Sequence, residues 1–227
     1  MALYYYEHIF LIAILQLKKS EKVNFLTHLF GAVAMAVATM VLAYKARADL
    51  FSLAVVIVYG ACATLLFSAS TLYHLKKKEE DEKSVWRTID HMSIYIMIAG
   101  TYTPICAFVF NNVWGITIAS IQWGLALAGF LSEMFWRRRP RWLSTLLYLS
   151  MGCVVLAAIV PVFEGLSTSL FVLLAIGGIA YITGAIIYAL KKPNPAPGIF
   201  GFHEIFHTLV LIANGIYFVM IYKIVIG

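Results

Sequence analysis

Seven stretches of about twenty mostly apolar residues, set apart by short polar segments, run along the chain. They are Phe25–Tyr44, Leu50–Tyr73, Ile89–Phe110, Trp114–Trp136, Trp142–Phe163, Leu170–Leu190 and Ile199–Tyr222. At 1.5 Å per residue, about 20 helical residues cross the roughly 30 Å hydrocarbon core of a bilayer. Barrel strands would be about ten residues long and would alternate strictly. These runs are continuous and twice that length, so they predict helices, whose backbone groups pair within the segment. The pattern predicts an all-α integral membrane protein, a bundle of seven transmembrane helices over residues 25–225. Residues 1–24 are expected to form a cytoplasmic or interfacial segment. Within them Leu3–Leu17 is apolar but broken by Glu7 and His8, with no basic stretch before it as a cleaved signal would have. Its helical length of about 22 Å falls short of a span, so it is expected to lie at the interface, with an extra span as the alternative.

Composition agrees with the pattern. Of 227 residues, 62% are apolar and 12% charged, against roughly 25% charged in soluble domains. The formal charge of +6 sits in short loops between apolar runs, which points to topology and anionic headgroups and not to nucleic acid. Lys18, Lys19, Lys22, Lys76, Lys77, Lys78, Lys83, Arg87, Arg137, Arg138, Arg139, Arg141, Lys191 and Lys192 all fall on one side of a seven-span arrangement. Lys45, Arg47 and Lys223 fall on the other. The positive-inside bias then places the N-terminus in the cytoplasm and the C-terminus outside. Cys62, Cys106 and Cys153 stand singly within apolar runs and are expected to be small buried hydrophobes.

The candidate chemistry collects on the side that the basic residues mark as cytoplasmic. His28 lies near the start of the first span, Ser70 and His74 close the second, Asp90 and His91 open the third, and His203 and His207 open the seventh. Ionisable groups at membrane depth are costly and normally face the bundle interior. His203 and His207, four residues apart, share one helix face. Neutral imidazole suits Zn²⁺, and a catalytic zinc site takes three protein ligands and keeps one position open. His74 is the best third ligand. Asp90 is then left to hold and deprotonate a water at the open position, with Ser70 on the face of His74. The stretch His203-Glu204-Ile205-Phe206-His207 also satisfies the H-E-x-x-H pattern, in which the Glu serves peptidases as general base. The pattern fixes only three positions, and the 20 residues that follow hold no third ligand at zincin spacing. A peptidase is therefore disfavoured.

Other features have structural readings. Pro104 removes an amide and is expected to kink the third helix, with Thr101 and Thr103 placed to re-pair freed carbonyls. Glu133 and Arg137 are expected to pair at i, i+4. Asn214 is expected to bond across helices, and Gly177, Gly178 and Gly184 to allow close helix packing. Lys76–Lys83 reads as a solvated loop and His8 as incidental.

Leu26-Thr27-His28 with Gly31, Ser70-Thr71-Leu72-Tyr73-His74, Asp90-His91 followed by Ile98–Pro104, and Gly201–His207 together resemble the bacterial hemolysin III family. That family is grouped with the progestin and adiponectin Q receptors (PAQR) and more widely with alkaline ceramidases. The resemblance covers about residues 20–225 and leaves Met1–Leu17 unmatched. It implies zinc held by His74, His203 and His207, with Asp90 at the zinc-bound water and Ser70 behind it. It also implies a cytoplasmic N-terminus in a bacterial inner membrane, and an intramembrane hydrolase of ceramide-like lipid amides or a regulator of membrane lipid state. Membrane lipids, among them a lipid substrate, are the expected partners.

A second reading is a non-catalytic protein, either a lytic pore-former or a sensor with structural zinc. A pore needs polar stripes along several helices, whereas the polar residues here gather at one end. Structural zinc would be closed by a fourth ligand, for which His91, His28 and Asp90 are candidates.

Overall fold

A computed structural model of the chain describes residues 14–79, 84–110, 112–136 and 140–226. Most of the Leu3–Leu17 stretch, His8, Lys83 and Arg137 to Arg139 lie outside the described residues. Helices α1 (Lys19–Ala46), α2 (Leu50–Lys76), α3 (Val85–Phe108) and α4 (Asn112–Phe135) are followed by α5 (Arg141–Cys153) and a 3₁₀ segment, Val154–Ala158. Then come α6 (Ile159–Gly165), α7 (Thr168–Leu190) and α8 (Phe202–Ile226). No strand occurs among the described residues beyond one isolated bridge between Ala196 and Phe200.

Each helix from α1 to α4 packs on its neighbour in the chain, α7 packs on α8, and α8 returns against α1 to close the bundle. α1 illustrates how the sequence does this. Leu26, Phe30, Val33, Val37, Met40 and Tyr44 recur at three- and four-residue steps and point outward, at least half exposed. Glu21, Asn24, His28, Gly31, Met35, Leu42 and Ala46 occupy the opposite face and are buried. An apolar stripe outside and polar groups inside is the arrangement that lipid favours. It also explains why α1 starts at Lys19 and not at Phe25. Its first turns are polar yet face the bundle, so a search for apolar runs passes over them.

Six helical segments are long and apolar enough to cross a membrane; one of them, Trp142–Gly165, joins α5, the 3₁₀ segment and α6. α3 has the length, 24 residues, but is not among the six. It carries Thr88, Asp90, His91, Ser93, Thr101 and Thr103, and it packs between α2 and α4. The protein is thus an all-α, multi-pass membrane protein.

Side chains set the local ends and irregularities. Asp49 caps α2 by accepting from the Ser52 amide at 2.8 Å, and its bonds from Ser52 hold this exposed carboxyl below its ordinary value. Ser84 caps α3 at Arg87 N. α3 runs without interruption through Pro104. Thr101 and Thr103 donate to the carbonyls of Met97 and Ala99, one turn back, and so do not re-pair the Gly100 carbonyl that Pro104 frees. The break between α5 and α6 is satisfied from neighbouring helices. The Tyr102 hydroxyl donates to Gly152 O at 2.8 Å and accepts from Val155 N at 2.9 Å, and Gln122 Nε2 donates to Met151 O at 2.7 Å. Side chains inserted in the ladder account for the 3₁₀ stretch.

Candidate metal centre

Two helices deliver three imidazoles to one point. The last turn of α2 brings His74, which is fully buried, and the first turns of α8 bring His203 and His207. One ligand atom from each lies within 4.8 Å of the others. His74 Nε2 stands 3.4 Å from His203 Nε2, and the ring centroids of His203 and His207 are 4.6 Å apart. Among the described residues this cluster can hold a metal ion.

Each ring is oriented by something outside the cluster. His74 Nδ1 donates to Glu21 Oε2 at 2.6 Å, because a carboxylate only accepts. Its Nε2 lone pair is thereby turned towards His203. The other Glu21 oxygen accepts from Lys77 Nζ at 2.6 Å. His207 is stacked on His28 of α1, with centroids 3.7 Å apart and planes 18° from parallel. His28 in turn meets the edge of Phe67, whose ring occupies the space where Gly31 would carry a Cβ. Neither nitrogen of His28, nor Nδ1 of His207, makes a well-formed hydrogen bond. His203 is flanked by the Tyr188 ring at 5.6 Å.

Asp90, half-buried at the start of α3, and the buried Ser70 lie on one cavity. This cavity, of about 440 Å³, is also lined by His203 and His207. From this polar end the cavity continues between Met97, Ile105, Leu149, Val155, Leu174 and Val210. Tyr102 and Gly152, which bond to each other at the break between α5 and α6, are also in its wall.

The carboxylate inside the H-E-x-x-H stretch is engaged elsewhere. Glu204 Oε1 accepts from Asn24 Nδ2 at 2.8 Å and Oε2 from Gly201 N at 2.7 Å. It ties the start of α8 to α1, and it is not one of the clustered ligand groups. Glu133 does not await Arg137 alone: its Oε1 is 3.5 Å from His91 Nδ1 and accepts from the Tyr148 hydroxyl at 3.4 Å. Asn214 donates to the Tyr181 hydroxyl across α7 and α8 at 2.6 Å, as its mid-span position suggested. A Cβ on Gly177 would strike the Tyr217 ring, and Gly184 faces Phe206 and Leu209, so these glycines do seat α7 on α8. Cys62 and Cys106 are buried, and no cysteine is bonded to another.

Glu21 is the functional neighbour that sequence reasoning missed. A signal for it was present: Glu21, Asn24, His28 and Gly31 follow at helical steps of three and four on the face opposite the lipid-facing stripe.

A closed helical bundle in the membrane with three converging histidines at one end defines the class. The chain belongs to the haemolysin-III related family, whose sequence model matches residues 16–218. It is 38% identical over 179 residues to Hemolysin-3 of Bacillus cereus, covering 78% of this chain and 81% of that relative. To the Hemolysin-3 homolog of Bacillus subtilis (strain 168) it is 35% identical over 198 residues, covering 85% and 88%. A more distant similarity, 25% over 221 residues, links it to the ADIPOR-like receptor IZH2 of Saccharomyces cerevisiae, over 86% of this chain and 68% of that one. These relationships place the family within the PAQR group.

Proposed function

We propose that the protein is a zinc-dependent hydrolase of membrane lipids that cleaves the amide of a ceramide-like substrate at the cytoplasmic face. In this reading seven helices span the bacterial inner membrane, α3 counted as a span and α5 with α6 as one, with the N-terminus inside and the C-terminus outside. The observation that carries it is a cluster of three imidazoles, two of which, His203 and His207, share with the Asp90 carboxylate and the Ser70 hydroxyl a cavity whose far end is apolar. The donor set fits zinc. Nitrogens bound at about 2.0–2.1 Å to one tetrahedral ion lie about 3.3–3.4 Å apart; His74 Nε2 and His203 Nε2 are 3.4 Å apart, and the three ligand atoms all lie within 4.8 Å of one another.

Zinc bound there supplies a water of lowered pKa and polarises a carbonyl. The chain's own residues do the rest. Asp90 takes the proton of the attacking water and passes it to the leaving amine. The Ser70 hydroxyl holds the Asp90 carboxylate in place. The apolar walls between α3, α5 and α7 take up a hydrocarbon chain, which leaves the amide at the polar end, near headgroup depth.

The competing reading, structural zinc in a pore or sensor, is supported by the lytic activity in the relatives' name. It needs a fourth protein ligand and a polar path. His28 stands outside the clustered group and is stacked on His207, and most of the cavity wall is apolar. The test is metal analysis of the purified protein beside fatty-acid release from ceramide in mixed micelles. Stoichiometric zinc and release that chelation abolishes support the hydrolase. Stoichiometric zinc with no release from any amide lipid supports the structural alternative.

A further inference from the structure

Glu21 sits in the first turn of α1, 53 residues from His74, and is 8% exposed. Both of its oxygens are in use, one on His74 Nδ1 and one on Lys77 Nζ, each at 2.6 Å. An imidazole has two nitrogens, and one that receives a metal through Nε2 must carry its proton on Nδ1. An acceptor-only group placed on Nδ1 fixes that tautomer and the ring plane together. His74 has no solvent exposure, so no bulk water can stand in for this acceptor. Lys77 lies one residue past the end of α2. By holding the second oxygen it stops the carboxylate from swinging away and partly neutralises a charge that burial would otherwise penalise.

We infer that Glu21, steadied by Lys77, is the positioning residue that sets His74 for metal binding and so couples the first turn of α1 to the metal site. The inference rests on the metal-site reading above and deepens it. A helix that contributes no ligand would thereby control the affinity of the site. His203 and His207 are oriented by neighbouring rings, whereas His74 depends on this one carboxylate.

The experiment is competition of the full-length protein in detergent with a calibrated chelator for Zn²⁺, for wild type, Glu21→Ala, Glu21→Gln, Lys77→Met and His203→Ala. Melting of each metal-free protein and the visible spectrum of its Co²⁺ form are recorded alongside. Loss of such an outer partner typically weakens metal binding about 10–100-fold. Glu21→Ala is expected in that range with an altered Co²⁺ spectrum. Glu21→Gln, whose carbonyl still accepts the Nδ1 proton, keeps the shape of the residue and should lose less, and Lys77→Met less again. Wild-type zinc affinity in both Glu21 variants overturns the inference, provided that His203→Ala has lost zinc. A weakened affinity with an unchanged Co²⁺ spectrum also overturns it, because the loss then arises elsewhere in the fold. Full zinc in His203→Ala overturns the metal reading itself, a result distinct from either of these.

Discussion

Asn24 and Glu204, 180 residues apart, are joined by a 2.8 Å hydrogen bond from Asn24 Nδ2 to Glu204 Oε1. With Gly201 N on the other oxygen, the carboxylate closes the bundle at the end where the histidines meet. Glu204 thus has a structural duty that removes it from contention as general base. Glu204→Gln is expected to retain zinc and function. Its carbonyl can still accept from Gly201, and a turned Asn24 amide, whose Oδ1 lacks a partner, can accept from its NH₂. Glu204→Ala leaves buried donors unpaired and should cost about 1–3 kcal/mol. Melting temperatures in detergent, with metal content and activity, check both. An inactive Glu204→Gln with full zinc would move the mechanism towards the peptidase pattern.

Gly31 tests the packing chain behind His207. An added Cβ would stand 2.6 Å from Phe67 Cδ1, and Phe67 is wholly buried against His28. Gly31→Ala should destabilise by about 1–3 kcal/mol, the usual cost of overpacking. It should also weaken zinc binding, because His28 supports His207. A variant that melts and binds zinc like wild type would show that this stack does not hold the ligand.

Tyr102→Phe removes the hydroxyl that serves Gly152 O and Val155 N at the 3₁₀ break. Two backbone groups in an apolar surrounding lose their partner, so a loss of about 1–3 kcal/mol is expected. Thermal unfolding of the detergent-solubilised variant measures it. An unchanged melting point would mean that water enters the cavity far enough to replace the hydroxyl.

Much of this could be read from residues alone, and the gaps have physical causes. The helices on α2, α4, α7 and α8 follow from long apolar runs, because lipid demands apolar outer surfaces. The convergence of His74, His203 and His207 followed from placing basic loops on one side and noting which histidines end there. α3 is less apolar in part because Asp90, His91 and Thr101 line the cavity, so the helix that carries Asp90 is also the long helix least evident from hydropathy. The break at Val154–Ala158 was not legible, since the residues that permit it, Tyr102 and Gln122, lie on other helices. Glu21 was passed over because a carboxylate among Lys18, Lys19 and Lys22 looks like part of a solvated segment. Only the packing of α1 on α2 and α8 turns it inward.

Orientation gives a further prediction. A reporter fused after Lys192 should read cytoplasmic, and one fused after Gly227 external, as the distribution of Lys and Arg requires. A cytoplasmic reading at Gly227 would contradict either the count of seven spans or their direction, and would place the histidine cluster on the wrong face for the proposed reaction.

Asp90→Ala, assayed in parallel for bound zinc and for fatty-acid release from ceramide, tests the central claim most directly. Asp90 is not among the clustered ligands and lies beside Ser70 in the cavity, so the variant should keep stoichiometric zinc. It should also lose release by about 10²–10⁴-fold, the range for removing a general base. Wild-type release by Asp90→Ala, with His74→Ala and His207→Ala inactive, would contradict the assignment of Asp90 as the base.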